Sequence, residues 1–149
     1  MAECPICSAQ NEEILWQNPQ LRVIAVHNES NAPAFCRVIW QAHVGEMTDL
    51  AADERAEIMN AVYRVEAAMR QVFQPAKINL ASLGNVVPHL HWHVIARFTW
   101  DSHFPAPVWA AAVRERVGAE EAAVLARLSA MEADLCTRLN LMALPTPQS

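Results

Sequence analysis

Residues 89–95 read His-Leu-His-Trp-His-Val-Ile. Polar and apolar side chains alternate there with a period of two. On an extended strand this sends His89, His91 and His93 to one face and Leu90, Trp92 and Val94 to the other. The apolar set marks the core face, and a slip of one residue would bury three imidazoles in its place, so the pattern fixes the register as well as the strand. Half of the six histidines of the chain fall on this one face, which points to a site rather than to chance placement on a solvated surface. Two chemistries use such a row. Neutral imidazoles can hold a catalytic zinc that keeps one position open for water. Alternatively, a central imidazole can attack an electrophile, with its other nitrogen held in the right tautomer by a partner. Spacing alone leaves both open.

The flanking sequence predicts where this strand sits. Ile14–Trp16 and Leu21–Val26 are β-rich runs separated by Gln17-Asn18-Pro19-Gln20, a hairpin pattern, and Phe35–Trp40 reads as a third strand. Between Ala52 and Phe73 the period changes: Ile58, Val62, Val65, Met69 and Val72 form one helical stripe, Asp53 and Glu54 suit its positive end, and Pro75 follows its other end. Lys77–Ala81 and Pro88–Phe98 complete five strands, joined by a turn at Gly84 and Asn85. The connections are too short for parallel crossovers, so the expected fold class is α+β, a five-stranded, mostly antiparallel sheet with one long helix. Beyond Pro105 and Pro107 the Ala-rich chain is expected to be helical. Gly118 is read as a break, and Val124, Leu128, Met131, Leu135, Leu139 and Met142 as a second apolar stripe. The expected organisation is residues 1–104 as the main unit, 105–149 as a helical extension of the same domain, and a fraying end from Pro145 to Ser149.

Composition narrows the function. Eleven basic against sixteen acidic residues leave a net charge of −5, which argues against nucleic acid as a partner. Three glycines, Gly45, Gly84 and Gly118, are too few and scattered for a phosphate-cradling loop. The first residues carry no signal-like segment, and no apolar run reaches the roughly 18 residues of a spanning helix, so no membrane association and a cytoplasmic location are expected. Cys4 and Cys7 form a C-x-x-C pair whose reading stays open among metal ligands, a redox couple and inert thiols, while Cys36 and Cys136 are expected to be buried bystanders. His27 and His103 are read as ordinary exposed loop histidines.

The run from Lys77 to Arg97, with Asn79 ten residues before His89 and a Gly84-Asn85 pair between them, resembles the signature of the histidine triad superfamily of nucleotide hydrolases and transferases. The resemblance extends back through Arg37–His43 to Cys4-x-x-Cys7. It implies a homodimer and cleavage at the α-phosphate of a nucleotide. His91 would be the nucleophile, the His89 carbonyl would orient it, and His93 would contact phosphate or leaving group. Asn28, Asn79 and Asn85 match the ribose- and phosphate-facing positions. Zinc-binding relatives complete the C-x-x-C with histidines matching His43 and His89, which implies a possible structural zinc on Cys4, Cys7, His43 and His89 and no cofactor needed for the chemistry. Phe35 and Val86 depart from the family pattern, which has a histidine and a Ser or Thr there. The implied substrates are dinucleoside polyphosphates, diadenosine tetraphosphate-like, with nucleoside phosphoramidates second. A zinc hydrolase using His89, His91 and His93 as ligands and a non-catalytic nucleotide-binding module are the rival readings. The homodimer expectation also rests on the C-terminal stripe, which offers more apolar surface than so small a domain readily buries.

Overall fold

The computed structural model describes residues 3–27 and 31–142. Five strands, β1 (Glu13–Gln17), β2 (Leu21–Ala25), β3 (Ala34–Trp40), β4 (Lys77–Ala81) and β5 (His91–Arg97), form one sheet in the order β1-β2-β3-β5-β4, with every neighbouring pair antiparallel. The long helix α1 spans Ala52–Phe73, as its stripe predicts. Glu54 accepts the Ala51 N–H at its start, and Gln74 stops it in the left-handed conformation immediately before Pro75.

One face of the sheet packs on α1. Leu21 and Val23, then Cys36, Val38 and Trp40, then Ile78, then Leu90, Val94 and Ala96 meet Ile58, Val62, Val65 and Met69 in a single buried cluster. Trp92 is partly buried against this cluster, so the face assigned to Leu90, Trp92 and Val94 is the core face. Cys36 lies within it, and burial pushes its thiol up to about 12, as expected for an inert residue. Cys136 is only partly buried and donates to the Leu15 carbonyl at 3.3 Å.

Three sequence expectations are corrected here. First, β5 starts at His91 and not at Pro88. Pro88 has no N–H to give a ladder, and the His89 N–H turns back to the Val87 carbonyl at 2.8 Å, so regular pairing begins two residues later. Second, residues 105–117 contain no helix. The helices are α2 (Gly118–Leu125), in which Gly118 is the first residue rather than a break, and α3 (Leu128–Met142). Third, the C-terminal stripe is buried within the chain. Val124, Met131, Leu135 and Leu139 join the main cluster, α3 packs along α1, and Asn140 accepts from the Trp16 indole at 2.9 Å. The stripe therefore gives no argument for a second subunit. The predicted fraying end lies outside the described residues, and among the described residues no helix is long and apolar enough to cross a membrane.

Candidate active site and adjoining metal-ligand cluster

Directly paired residues of an antiparallel sheet share a face. Ile39 pairs with His91, Arg37 with His93, Phe35 with Ile95, and Asn79 with Ile95 from the other side. The second face of the sheet thus carries His91, His93, Arg37 and Asn79 at its centre.

His91 and His93 are both buried and stand edge to face, with ring centroids 4.9 Å apart. Nδ1 of His91 donates to the His89 carbonyl at 2.5 Å. That bond places the proton on Nδ1 and leaves the Nε2 lone pair free. Burial holds the His91 pKa below its ordinary value against this carbonyl, with Arg37 adding in the same direction. Burial, then the charges of His91 and Arg37, push His93 down to about 4. Near pH 7 both rings are neutral. Nδ1 of His93 is buried and has no hydrogen-bond partner among the described residues. A cleft of about 240 Å³ bordered by Glu46, Met47, Ser82, Gly84, His89 and His91 opens beside His91, and the Ser82 hydroxyl donates to the His91 carbonyl at 2.9 Å. Gly84, at φ +70°, makes the turn that closes this cleft, a conformation side chains rarely adopt.

His89 precedes the strand, next to Leu90 on the core face, and its ring is held by other groups. Its Nε2 donates to the Trp40 carbonyl at 2.6 Å, and its Nδ1 lies 3.5 Å from Cys4 Sγ, 3.4 Å from Cys7 Sγ and 3.2 Å from His43 Nδ1. Cys7 Sγ is 3.5 Å from His43 Nδ1, and one ligand atom from each of the four residues lies within 4.8 Å of the others. Two sulfurs and two nitrogens around a tetrahedral zinc stand roughly 3.3–3.8 Å apart, given bonds of about 2.0–2.3 Å. The donor set and most of its spacing fit a closed structural site. Burial raises the Cys4 thiol, but the N–H groups of Cys7 and Ile6 outweigh it and lower its pKa, while burial and the neighbouring Cys4 raise that of Cys7, so before metal binds one thiol of the pair is biased toward thiolate.

The remaining predicted residues are dispersed. Asn79 is on the site face, and its Oδ1 accepts from Arg97 at 2.8 Å. Asn85 is exposed on the 82–90 loop, and Asn28 lies outside the described residues. Phe35 is buried with its ring edge-on to His93 at 5.4 Å, whereas Val86 is 94% exposed and borders nothing in the site. His27 pairs with Glu13 in a half-exposed contact. His103 is not an exposed loop residue: it is buried, with Nδ1 2.8 Å from the Ser102 hydroxyl.

His103 belongs to a structure that the sequence reading missed. Residues 98–113 fold as an irregular strap over the site face. Asp101 organises it by accepting from the N–H groups of Phe98, His103 and Phe104 and from the Arg97 guanidinium, at 2.7–3.1 Å. Arg97 reaches on to the Ala106 carbonyl, and Val108 packs with Phe35 and Ile95. The strap carries Trp109 to within 5.5 Å of His93, centroid to centroid. Asp101, four residues after Arg97, was the available signal for the strap, and helix-favouring alanines masked it.

The HIT domain model matches residues 8–100. The chain belongs to the HIT domain family. Among solved HIT structures it is similar to the histidine triad protein blr8122 from Bradyrhizobium japonicum, at 26% identity over 85% of this chain and 91% of that one, with a TM-score of 0.65. A histidine triad protein from Marinobacter aquaeolei VT8 shares 23% identity over 89% and 91%, with a TM-score of 0.66. A zinc-bound histidine triad family protein from Mycobacterium smegmatis shares 18% over 90% and 96%, with a TM-score of 0.62. No curated protein sequence matches the chain. The HIT fold is the one used by nucleotide-binding and nucleotide-hydrolysing members of this family.

Asp101 generates a pH prediction. Burial raises its pKa, and the Arg97 contacts with the N–H groups of Phe98 and His103 outweigh this, leaving it below the usual 3.8. A depressed folded pKa stabilises the protein above the unfolded value and is lost as pH falls through the folded one. Asp101→Asn should cost about 3–5 kcal/mol at pH 7, the range for breaking a buried pair. The gap from wild type in urea titrations should narrow below about pH 4. A gap that is independent of pH down to 2 would contradict the role assigned to the carboxylate.

Proposed function

We propose that this HIT protein is a nucleotide hydrolase or nucleotidyl transferase in which Nε2 of His91 attacks the α-phosphate. The observation that carries this reading is the His91 Nδ1–H to His89 carbonyl bond, which leaves a neutral, buried imidazole with its lone pair available. A P–N bond forms as the bridging P–O bond breaks, and the electron pair departs with the leaving group. Water or another acceptor then adds its oxygen to phosphorus, and the pair of the P–N bond returns to Nε2. His93, neutral near pH 7, serves phosphate or leaving group by hydrogen bonding rather than by charge. Arg37, opposite it on β3, supplies positive charge on the same face. Asn79, Asn85 and Asn28 are assigned to the ribose and phosphate side. The favoured substrates are dinucleoside polyphosphates, with nucleoside phosphoramidates next. A catalytic zinc on all three histidines is disfavoured because the His89 ring is committed to Trp40 and to the cysteine cluster.

In this reading Cys4, Cys7, His43 and His89 hold a structural zinc, which would tie the N-terminal segment to the residue that orients His91. We also retain the homodimer, now on the open β4 edge alone, since sheet edges are covered or paired in stable proteins.

Replacing His91 by Ala should lower kcat by roughly three orders of magnitude or more while a nucleoside monophosphate still binds in equilibrium dialysis. A folded variant that turns over at near the wild-type rate would sink the mechanism. Elemental analysis should find one zinc per chain in protein purified without chelator. Changing both Cys4 and Cys7 to Ser should lower Tm by roughly 5–10 °C and leave measurable turnover. Zinc-free protein whose melting ignores added zinc would remove the metal from the account. Light scattering should give twice the 16.6 kDa chain mass, and a monomer mass at micromolar concentration would remove the β4 pairing.

A further inference from the structure

The strap brings a large aromatic side chain to the site and leaves it half in solvent. Trp109 is 53% exposed, although the strap around it is pinned by the Arg97–Asp101 pair and by Val108. One edge of its ring system meets His93, 67° from parallel. His93 therefore touches both His91 and Trp109, at centroid separations of 4.9 and 5.5 Å. Trp109 also borders an open cleft of about 390 Å³ with Lys77, Asn79, Leu80, Pro105 and Pro107. Lys77 is the only lysine in a chain of net charge −5, and it sits at this cleft.

We propose that Trp109 and the prolines beside it form a leaving-group subsite that stacks the second base of a dinucleotide, with Lys77 facing the polyphosphate that connects the two nucleosides. This deepens the function proposed above and rests on it. In-line attack by His91 sends the leaving group away from Nε2, and the Trp109 ring with its cleft adjoins His93, the residue assigned to phosphate or leaving group. An exposed indole offers a flat face to any base, and base–aromatic stacking tolerates sequence because every base has a π-face. Proline side walls add apolar surface without flexible side chains to immobilise. Its exposure separates Trp109 from Trp40, which lies within the main cluster. The cation at the cleft matches a bridging polyphosphate and has no counterpart in a substrate whose leaving group is a small amine. Trp109 is thus a specificity-determining residue.

The test compares kcat/KM for diadenosine tetraphosphate with that for adenosine 5′-phosphoramidate, whose leaving group is ammonia, in wild type and in Trp109→Ala, Trp109→Phe and Lys77→Met. Trp109→Ala should lower the dinucleotide-to-phosphoramidate ratio about tenfold, the scale of one lost base stack. Trp109→Phe should recover most of that ratio, and Lys77→Met should lower it as well and weaken its salt dependence. Inhibition by ATP, the leaving-side product, should weaken more in Trp109→Ala than inhibition by AMP. Equal losses on both substrates would mean that Trp109 only braces His93, and an unchanged ratio would mean that the cleft holds no base; either overturns the inference while the parent function stands. Wild-type protein that turns over neither substrate overturns the parent reading, and this subsite falls with it.

Discussion

His89 connects every part of the proposed site, and it does so through backbone and side chain separately. Its carbonyl accepts the Nδ1 proton of His91, its Nε2 donates to Trp40, and its Nδ1 faces Cys4, Cys7 and His43. Each of these contacts constrains the others. The Trp40 bond sets the tautomer that exposes a lone pair to the cysteine cluster, and the fixed residue holds the carbonyl under His91. A buried imidazole with an unsatisfied N–H would cost free energy and rotate to find a partner. Here the partner is supplied by a main-chain group that cannot move without disturbing the start of β5.

The rest of the architecture stabilises that arrangement from both sides of one strand. β5 is flanked by β3 and β4, so its backbone groups are paired along both edges. Leu90, Val94 and Ala96 are held by α1. On the opposite face Ile95 is covered by Phe35 and Val108, and the strap is locked by a fully buried Arg97–Asp101 pair. Such a pair is weak evidence for stability and contributes mainly by fixing one conformation, here that of the segment bearing Trp109. The neutrality of His91 and His93 follows from this burial, with the Arg37 charge adding to it.

Regular elements were legible because their signals are local. The stripe of α1 and the run of β4 follow from periodicity alone, and the residues of β5 show their core face by alternation. What escaped depended on contacts distant in sequence. Alternation placed His89 in a row with His91 and His93, but it could not show that the His89 ring is engaged by the Trp40 carbonyl and by Cys4, Cys7 and His43, contacts made across long stretches of sequence. Ala110–Ala112 suggested a helix, yet the prolines and Asp101 divert that backbone into a strap. The stripe on α3 looked surplus only because its partner, α1, lies more than fifty residues earlier. The resemblance named the residues that cluster around His43, whereas Trp109 and the buried state of His103 became apparent only from the tertiary arrangement.

The central claim is that phosphorus is transferred to His91 and then onward, which is two displacements rather than one. Each in-line displacement inverts phosphorus, so the measurement is the stereochemical course at the α-phosphorus, followed with a substrate made chiral there and hydrolysed in isotopically labelled water. A covalent nucleotidyl-histidine predicts overall retention of configuration. Inversion would mean that water attacks the nucleotide directly, and His91 could then be at most a general base.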